Sequence, residues 1–295
     1  MNGETTSAGH AAGGRSAGFT LVEMVVVVAI VGVLIATLAP ALGRARAAAK
    51  TARELCAGQQ LMLAYALYAD DNKECVLPGY PPEAWVDNGS LPSPVQLTVV
   101  DVGGRPVTST QARRYPWRIA PYMDFNFAGL YEDERILKGY ASLGADEYQY
   151  LVSLSPSFGL NQVFVGGDSD RGGFSRATLA AYGQFYLTRL DQARRPAQLL
   201  VFTSSKGPGL DGDTTEGYFR VDAPSLRVRQ WSVPATWMDA QAMPAGYGFV
   251  SYRLGGRSGV LNLDGHAQLL GYSELDDMRR WADGATGPAW TIDQN

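Results

Sequence analysis

Twenty consecutive uncharged residues, Met24 to Gly43 (MVVVVAIVGVLIATLAPALG), constrain this chain more than any other feature of its sequence. At ~1.5 Å per residue, a helix of that length covers ~30 Å, the thickness of a bilayer's hydrocarbon core. β-Branched residues dominate its first half and disfavour a helix in water. In lipid the backbone must satisfy its own hydrogen bonds, and for a single segment only a helix does so. The run therefore predicts one membrane-spanning helix, in which Gly32 and Pro40 are tolerable. A secretory signal peptide would carry an apolar core of about 7–15 residues and a small-x-small cleavage site. Ala39-Pro40-Ala41 supplies such a site, but the run is too long, and only Arg15 precedes it with positive charge.

The chain has 295 residues, a formal net charge of −4 and 46% hydrophobic residues, enough for one large domain or two modest ones. Its mild acidity argues against a nucleic-acid binder, which would concentrate basic charge on one surface. With His10 set apart from His266 near the N-terminus, the two histidines and two cysteines argue against a His/Cys zinc site, which needs three or four such ligands brought together. They also leave little from which to build a Ser-His-Asp or Cys-His enzyme.

Immediately before the apolar run stands Gly18-Phe19-Thr20-Leu21-Val22-Glu23. Glu23 is anomalous there, because a carboxylate at full depth in a bilayer costs roughly 2.5–3.5 kcal/mol and calls for a partner. The stretch AGFTLVEMVVVVAIVGVLIATLAPAL resembles the N-terminal signal of type IV pilins and type II secretion pseudopilins. Gly18, Phe19 and Glu23 stand where that signal has its glycine, its first mature residue and its glutamate. The resemblance implies that prepilin peptidase cuts between Gly18 and Phe19 and methylates the new amine. Residues 1–18 would then be a leader. In a filament of packed apolar helices Glu23 would offset its desolvation against a positive N-terminal amine, in a first helical turn that favours an anion.

Strong helix formers continue from Arg44 to Asp71 without a proline. The sequence predicts one long helix over about Phe19–Tyr68, with 19–43 as the membrane or filament-core half and 44–72 as an amphipathic periplasmic half. Ala48, Ala52, Leu55, Met62 and Ala66 would pack on a globular β-rich domain, 73–295. Arg44, Arg46, Lys50 and Arg53 would be exposed, either as a solvated face or in contact with phospholipid headgroups or acidic neighbouring subunits. By charge alone the topology would be inverted, since four basic residues follow the span and one precedes it; the cleavage signature overrides this. The segment RELCAGQQLMLAYALYADDNKECVLP further resembles large pilin-like proteins of planctomycetes and verrucomicrobia, as do YPWRIAPYM, SPSFGLN and RRPAQLLVFTSS. LGGRSGVLNLDGHAQLL is similar to that group's closing His-X9-Asp-Gly signature, with Leu254 in place of the histidine and Asp264-Gly265 intact.

Cys56 and Cys75 are candidates for a disulfide in an oxidising compartment, provided the helix ends early enough. With a helix running to Asp70, Cys56 lies ~21 Å before its end, and five extended residues return only ~17 Å.

Prolines at 78, 81, 82, 92, 94 and 106 break up the region after the helix, leaving a strand-like run at Val95–Val102. Further strand-like runs are Leu199–Thr203, Tyr218–Val221, Leu226–Val233, Tyr247–Arg253, Gly259–Leu263 and Ala267–Gly271. In LRVRQWSV, Leu226 and Val228 would share one face. Asp264-Gly265 predicts a type I′ hairpin turn between the last two runs. A last helix is expected at about Ser273–Trp281, capped by Ser273 with Asp276 at its third position. The class is α+β, a pilin-like long helix packed on an antiparallel sheet with large loops.

Asp211, Asp213 and Glu216 cluster in one short loop, the kind of oxygen set calcium takes. They are either a structural calcium site, as the resemblance to major pseudopilins implies, or a solvated acidic turn. Gly166-Gly167-Asp168-Ser169-Asp170 is a weaker version. His266 beside Asp264 has no nucleophile in view and reads as a hydrogen-bonded turn residue. Gly255-Gly256-Arg257-Ser258-Gly259 lacks the Gly-x-Ser-x-Gly spacing of a nucleophile elbow, and no Gly-rich stretch ends in the Lys-Ser/Thr of a phosphate loop. Tyr115, Trp117, Tyr122, Phe125 and Phe127 would pack in the core, or bind a sugar or a partner chain.

The expected function is structural, not enzymatic. The chain would be a subunit of a type II secretion pseudopilus or type IV pilus-like filament, held in the inner membrane with its C-terminal domain in the periplasm. Its partners would be prepilin peptidase, other pilin subunits through the N-terminal helix, and membrane lipid, with no nucleic acid. The rival reading is an envelope binding protein that uses the helix only as a tether.

Overall fold

The computed structural model describes residues 18, 20–87, 97–107, 109–131, 137–139, 142–208, 214–232 and 243–294. The chain divides into two compact units, residues 1–48 and 49–295, and one long helix, α1 (Leu21–Asp71), contributes residues to both. α1 ends without glycine or proline. Lys73 and Glu74 adopt left-handed φ angles of 58° and 64°. The Asn72 side chain donates to the Tyr68 carbonyl at 2.7 Å, and the Glu74 N–H donates to that of Ala69 at 2.8 Å. Carbonyls that the last turn leaves open are satisfied in this way.

In the second unit α1 buries Glu54, Gly58, Leu61, Met62, Tyr65, Tyr68 and Ala69, a stripe at three- and four-residue spacing. This is not the face expected from the sequence. Of Ala48, Ala52, Leu55, Met62 and Ala66 only Met62 is buried, while Leu63 and Leu67 stay exposed. The observed stripe carries two tyrosines and Leu61, and so removes more apolar area from water than an alanine stripe could. Arg44, Arg46, Lys50 and Arg53 are exposed, as expected.

The strands are β1 (Phe158–Leu160), β2 (Leu200–Ser204), β3 (Lys206–Pro208), β4 (Thr214–Glu216), β5 (Ser258–Asn262) and β6 (Ala267–Leu270). Four form an antiparallel sheet in the order β1-β2-β5-β6, and β3 pairs with β4 in a separate ribbon. A bulge in β2 falls between Leu200, opposite Asn262, and Phe202, opposite Leu261. Phe202 and Leu261 pack with α1, and with Tyr115, Trp117 and Phe158, in one cluster. Leu200, Val260 and Leu270 pack with Trp231, Trp281 and Trp290 in a second. Asn161 Nδ2 donates to the carbonyls of both Leu200 and Trp281, at 2.9 and 2.8 Å.

α1 comes close to the sheet at Gly58, where a Cβ would lie 2.4 Å from a Leu261 methyl. Because Leu261 is fully buried, it has little room to move. Gly58→Val is expected to destabilise the protein by about 1–3 kcal/mol, read as a lower urea midpoint at unchanged slope.

Several expected strands are absent. Leu199–Thr203, Gly259–Leu263 and Ala267–Gly271 correspond to β2, β5 and β6. Within 95–102, positions 95 and 96 lie outside the described residues, and Val100 makes only an isolated bridge to Pro106. Tyr218–Val221 hydrogen-bonds Leu160 through one isolated bridge, and Tyr247–Arg253 follows a 3-10 turn (Pro244–Tyr247). At 226–232 the chain turns, with Ser225 bridging Arg229, so Leu226 is buried while Val228 is 70% exposed. These runs have strand composition but no ladder partner alongside them. The hairpin between β5 and β6 is not type I′ either. Only Gly265 has positive φ (89°), and its N–H donates to the Asn262 carbonyl at 2.9 Å, giving a three-residue connection. The last helix is shorter than expected: Tyr272–Leu275, capped by Glu274 on the Gly271 N–H, then a separate 3-10 turn, Met278–Arg280. Trp281 donates Nε1 to the Leu275 carbonyl at 2.8 Å, which fixes the break between them.

The loop around Asp101 carries a pH-dependent contribution. Burial pushes its carboxyl up, but hydrogen bonds from Arg105, Gln149 and the Gly103 N–H together outweigh that and hold it below the ordinary aspartate range. A depressed folded-state pKa stabilises the fold above the unfolded value of about 3.9 and loses that contribution as pH falls from there through the folded pKa. Asp101→Asn is therefore expected to cost about 1–3 kcal/mol at pH 7. The gap to the parent should narrow below about pH 4 in denaturation curves.

Candidate functional site

α1 begins with a reciprocal cap. The Thr20 N–H and hydroxyl both donate to Glu23 Oε2, at 2.8 and 2.7 Å, and the Glu23 N–H donates to Thr20 Oγ1 at 3.2 Å. Thr20-Leu21-Val22-Glu23 is thus a capping box, with Glu23 at the third helical position next to the positive end of the helix dipole. The Thr-x-x-Glu spacing ahead of an apolar run carries this signal in the sequence. Gly18 is exposed, and Phe19 lies outside the described residues.

Beyond the cap, the large apolar side chains from Leu21 to Leu42 each keep between 47% and 80% of their surface exposed. The helix is long and apolar enough to cross a membrane. Pro40 sits inside it without an N–H to donate, and Thr37 Oγ1 donates to the Leu34 carbonyl at 2.9 Å one turn earlier. A face this apolar needs lipid or other helices around it.

Within the second unit, Arg253 binds Glu54 of α1 in a two-pronged pair, through Nε at 3.0 Å and Nη2 at 2.7 Å. Its other N–H groups reach the carbonyls of Ser157 (3.0 Å) and Ser205 (3.1 Å) and the carboxylate of Glu216 (3.1 Å). Ser204 Oγ donates to Glu54 as well. The side chains of Arg253 and Glu54 are only 5% and 7% exposed. This clamp ties the α1 segment of the second unit to the loops beside the sheet. It joins positions 199 residues apart, so no local pattern could have announced it.

The remaining expected sites separate. Glu216 accepts from Ser251 Oγ at 2.6 Å and from Arg253, while Asp211 and Asp213 lie outside the described residues. Among the described residues no three His, Cys, Asp or Glu side chains are arranged to hold a metal. Asp168 caps a 3-10 turn through the Asp170 N–H and accepts from Gln162 at 2.8 Å; burial raises its carboxyl above the ordinary range. Cys56 and Cys75 are both free and exposed. The disulfide is not formed because α1 continues to Asp71, leaving too little chain after it to return to Cys56.

His266 is held by Asn262 Nδ2 at 2.8 Å and Asp264 Oδ1 at 2.6 Å, with no nucleophile among those partners. Tyr115, Trp117 and Phe127 are buried, with Tyr122 and Phe125 packed against them. The Tyr115 hydroxyl donates to the Phe158 carbonyl and Trp117 Nε1 to that of Gln149, so these aromatics belong to the core.

Residues 14–39 match the family model of the prokaryotic N-terminal methylation motif. Together with the long apolar helix and the antiparallel sheet, that match fits a prepilin-type pilin or pseudopilin with a pilin-like α+β fold. Neither the curated proteins nor the solved structures contain a match to the chain.

Proposed function

We propose that this chain is a filament subunit of a type II secretion pseudopilus or type IV pilus-like fibre. It enters the inner membrane through Met24–Gly43 with its C-terminal unit in the periplasm. Prepilin peptidase cleaves it after Gly18 and methylates Phe19, and it assembles with other pilin subunits through the apolar half of α1. The observation that carries this reading is the methylation motif at 14–39, which overlaps the start of a capped helix whose apolar side chains stay exposed among the described residues.

The capping box separates two contributions of Glu23. Glu23→Ala removes cap and charge, whereas Glu23→Gln keeps a side chain that can cap but carries no charge. If Glu23 answers a neighbour's N-terminal amine, both variants insert in the membrane and both fail to enter filaments in a host carrying the assembly machinery. Assembly of both at the parent level would mean that Glu23 does not answer a neighbour's amine, and absence of the parent itself from filaments would favour the tether reading. Thr20→Ala keeps the carboxylate and weakens only the cap, by about 1 kcal/mol, and is expected to assemble.

A further inference from the structure

We propose that a cavity in the second unit, about 450 Å³ in volume, binds an acidic sugar. It lies between the segment 182–187, the turn at 192–194 and the loop around Asp283 and Trp290. Its size is within the range of about 300–1,000 Å³ usual for small-molecule sites.

The polar groups around it point to the ligand. Arg194 joins the hydrogen-bond network of the described residues through its backbone N–H, which donates to Asp283 at 3.0 Å, leaving its guanidinium available to a carboxylate. Gln192 spends its Oε1 on the Thr188 hydroxyl (2.9 Å), which turns its Nε2 into a second donor. Gln184 is oriented the opposite way. Its Nε2 donates to the Tyr186 carbonyl at 2.9 Å and its Oε1 remains to accept. Asp283 is an acceptor whose charge is answered by the N–H groups of Arg194 and Arg195, both at 3.0 Å.

Donors and acceptors in alternation suit sugar hydroxyls, which do both, and the free guanidinium adds a preference for a carboxylate on the ring. Phe185 and Trp290, both packed on Phe164, give rigid aromatic walls. A peptide finds less here, because the cavity is bordered by none of the strands β1–β6 and offers no ladder for its main chain.

The test is calorimetric titration of the full chain in detergent with trigalacturonic acid, the neutral galactose trimer and the tripeptide Gly-Gly-Glu. Trigalacturonic acid is expected to bind at least tenfold more tightly than either of the others. Arg194→Met and Gln184→Glu, both at exposed positions, should each weaken it at least tenfold with unchanged circular dichroism. Absence of binding, affinity indifferent to both substitutions, or equal affinity for the neutral sugar or the tripeptide would overturn the assignment. The result does not depend on processing at Gly18, so the proposed filament role stands or falls separately.

Discussion

Arg253→Met is expected to destabilise the protein by about 3–5 kcal/mol, the usual consequence of removing one partner from a buried ion pair. Methionine fills much of the volume but donates nothing. Glu54 would keep only the Ser204 hydroxyl among the partners described above. Glu216 would lose its charged partner, and the carbonyls of Ser157 and Ser205 would each lose one of two donors, keeping the N–H groups of Ser205 and Gly217 respectively. The companion test is Glu54→Leu combined with Arg253→Met. An apolar pair of similar volume is often neutral or stabilising where a lone buried charge is not, so the double variant should recover most of the lost stability. Chemical denaturation of the full chain in detergent reads both. A single variant within about 1 kcal/mol of the parent, the usual ceiling for exposed pairs, would mean that the clamp is loose in solution.

Phe202→Ala is expected to cost about 3–5 kcal/mol as well, by a different mechanism. Phe202 is fully buried where the sheet meets α1, with its ring 5.7 Å from that of Tyr65 and 5.0 Å from that of Tyr115. Truncation removes both ring contacts and leaves a cavity between helix and sheet that neither side can close. For a unit of this size the midpoint should fall by about 6–20 °C. Phe202→Leu fills part of the space and should lose less than half as much.

What the sequence disclosed follows from the range of the interactions involved. The apolar run from Met24 to Gly43 is read within a few residues of itself, and it forms a helix as expected. The same is true of β2, β5 and β6, whose apolar residues lie beside one another in a sheet. Tyr218–Val221 and Tyr247–Arg253 have the same composition, but the elements alongside them leave room only for single bridges. The face that α1 buries was misread for a related reason. Glu54 belongs to the buried face because of Arg253, a partner far away in the chain that no local pattern signals. The Thr20 cap is legible in the Thr-x-x-Glu spacing, although the charge of Glu23 beside an apolar run points first to the membrane.

The central claim, that this chain is processed and used as a prepilin, is tested most directly by intact and N-terminal mass spectrometry of the protein extracted from membranes of its native host. The expected result is a mature chain that begins at N-methylated Phe19. A chain that retains residues 1–18, or one that begins at Leu42 after Ala39-Pro40-Ala41, would contradict it.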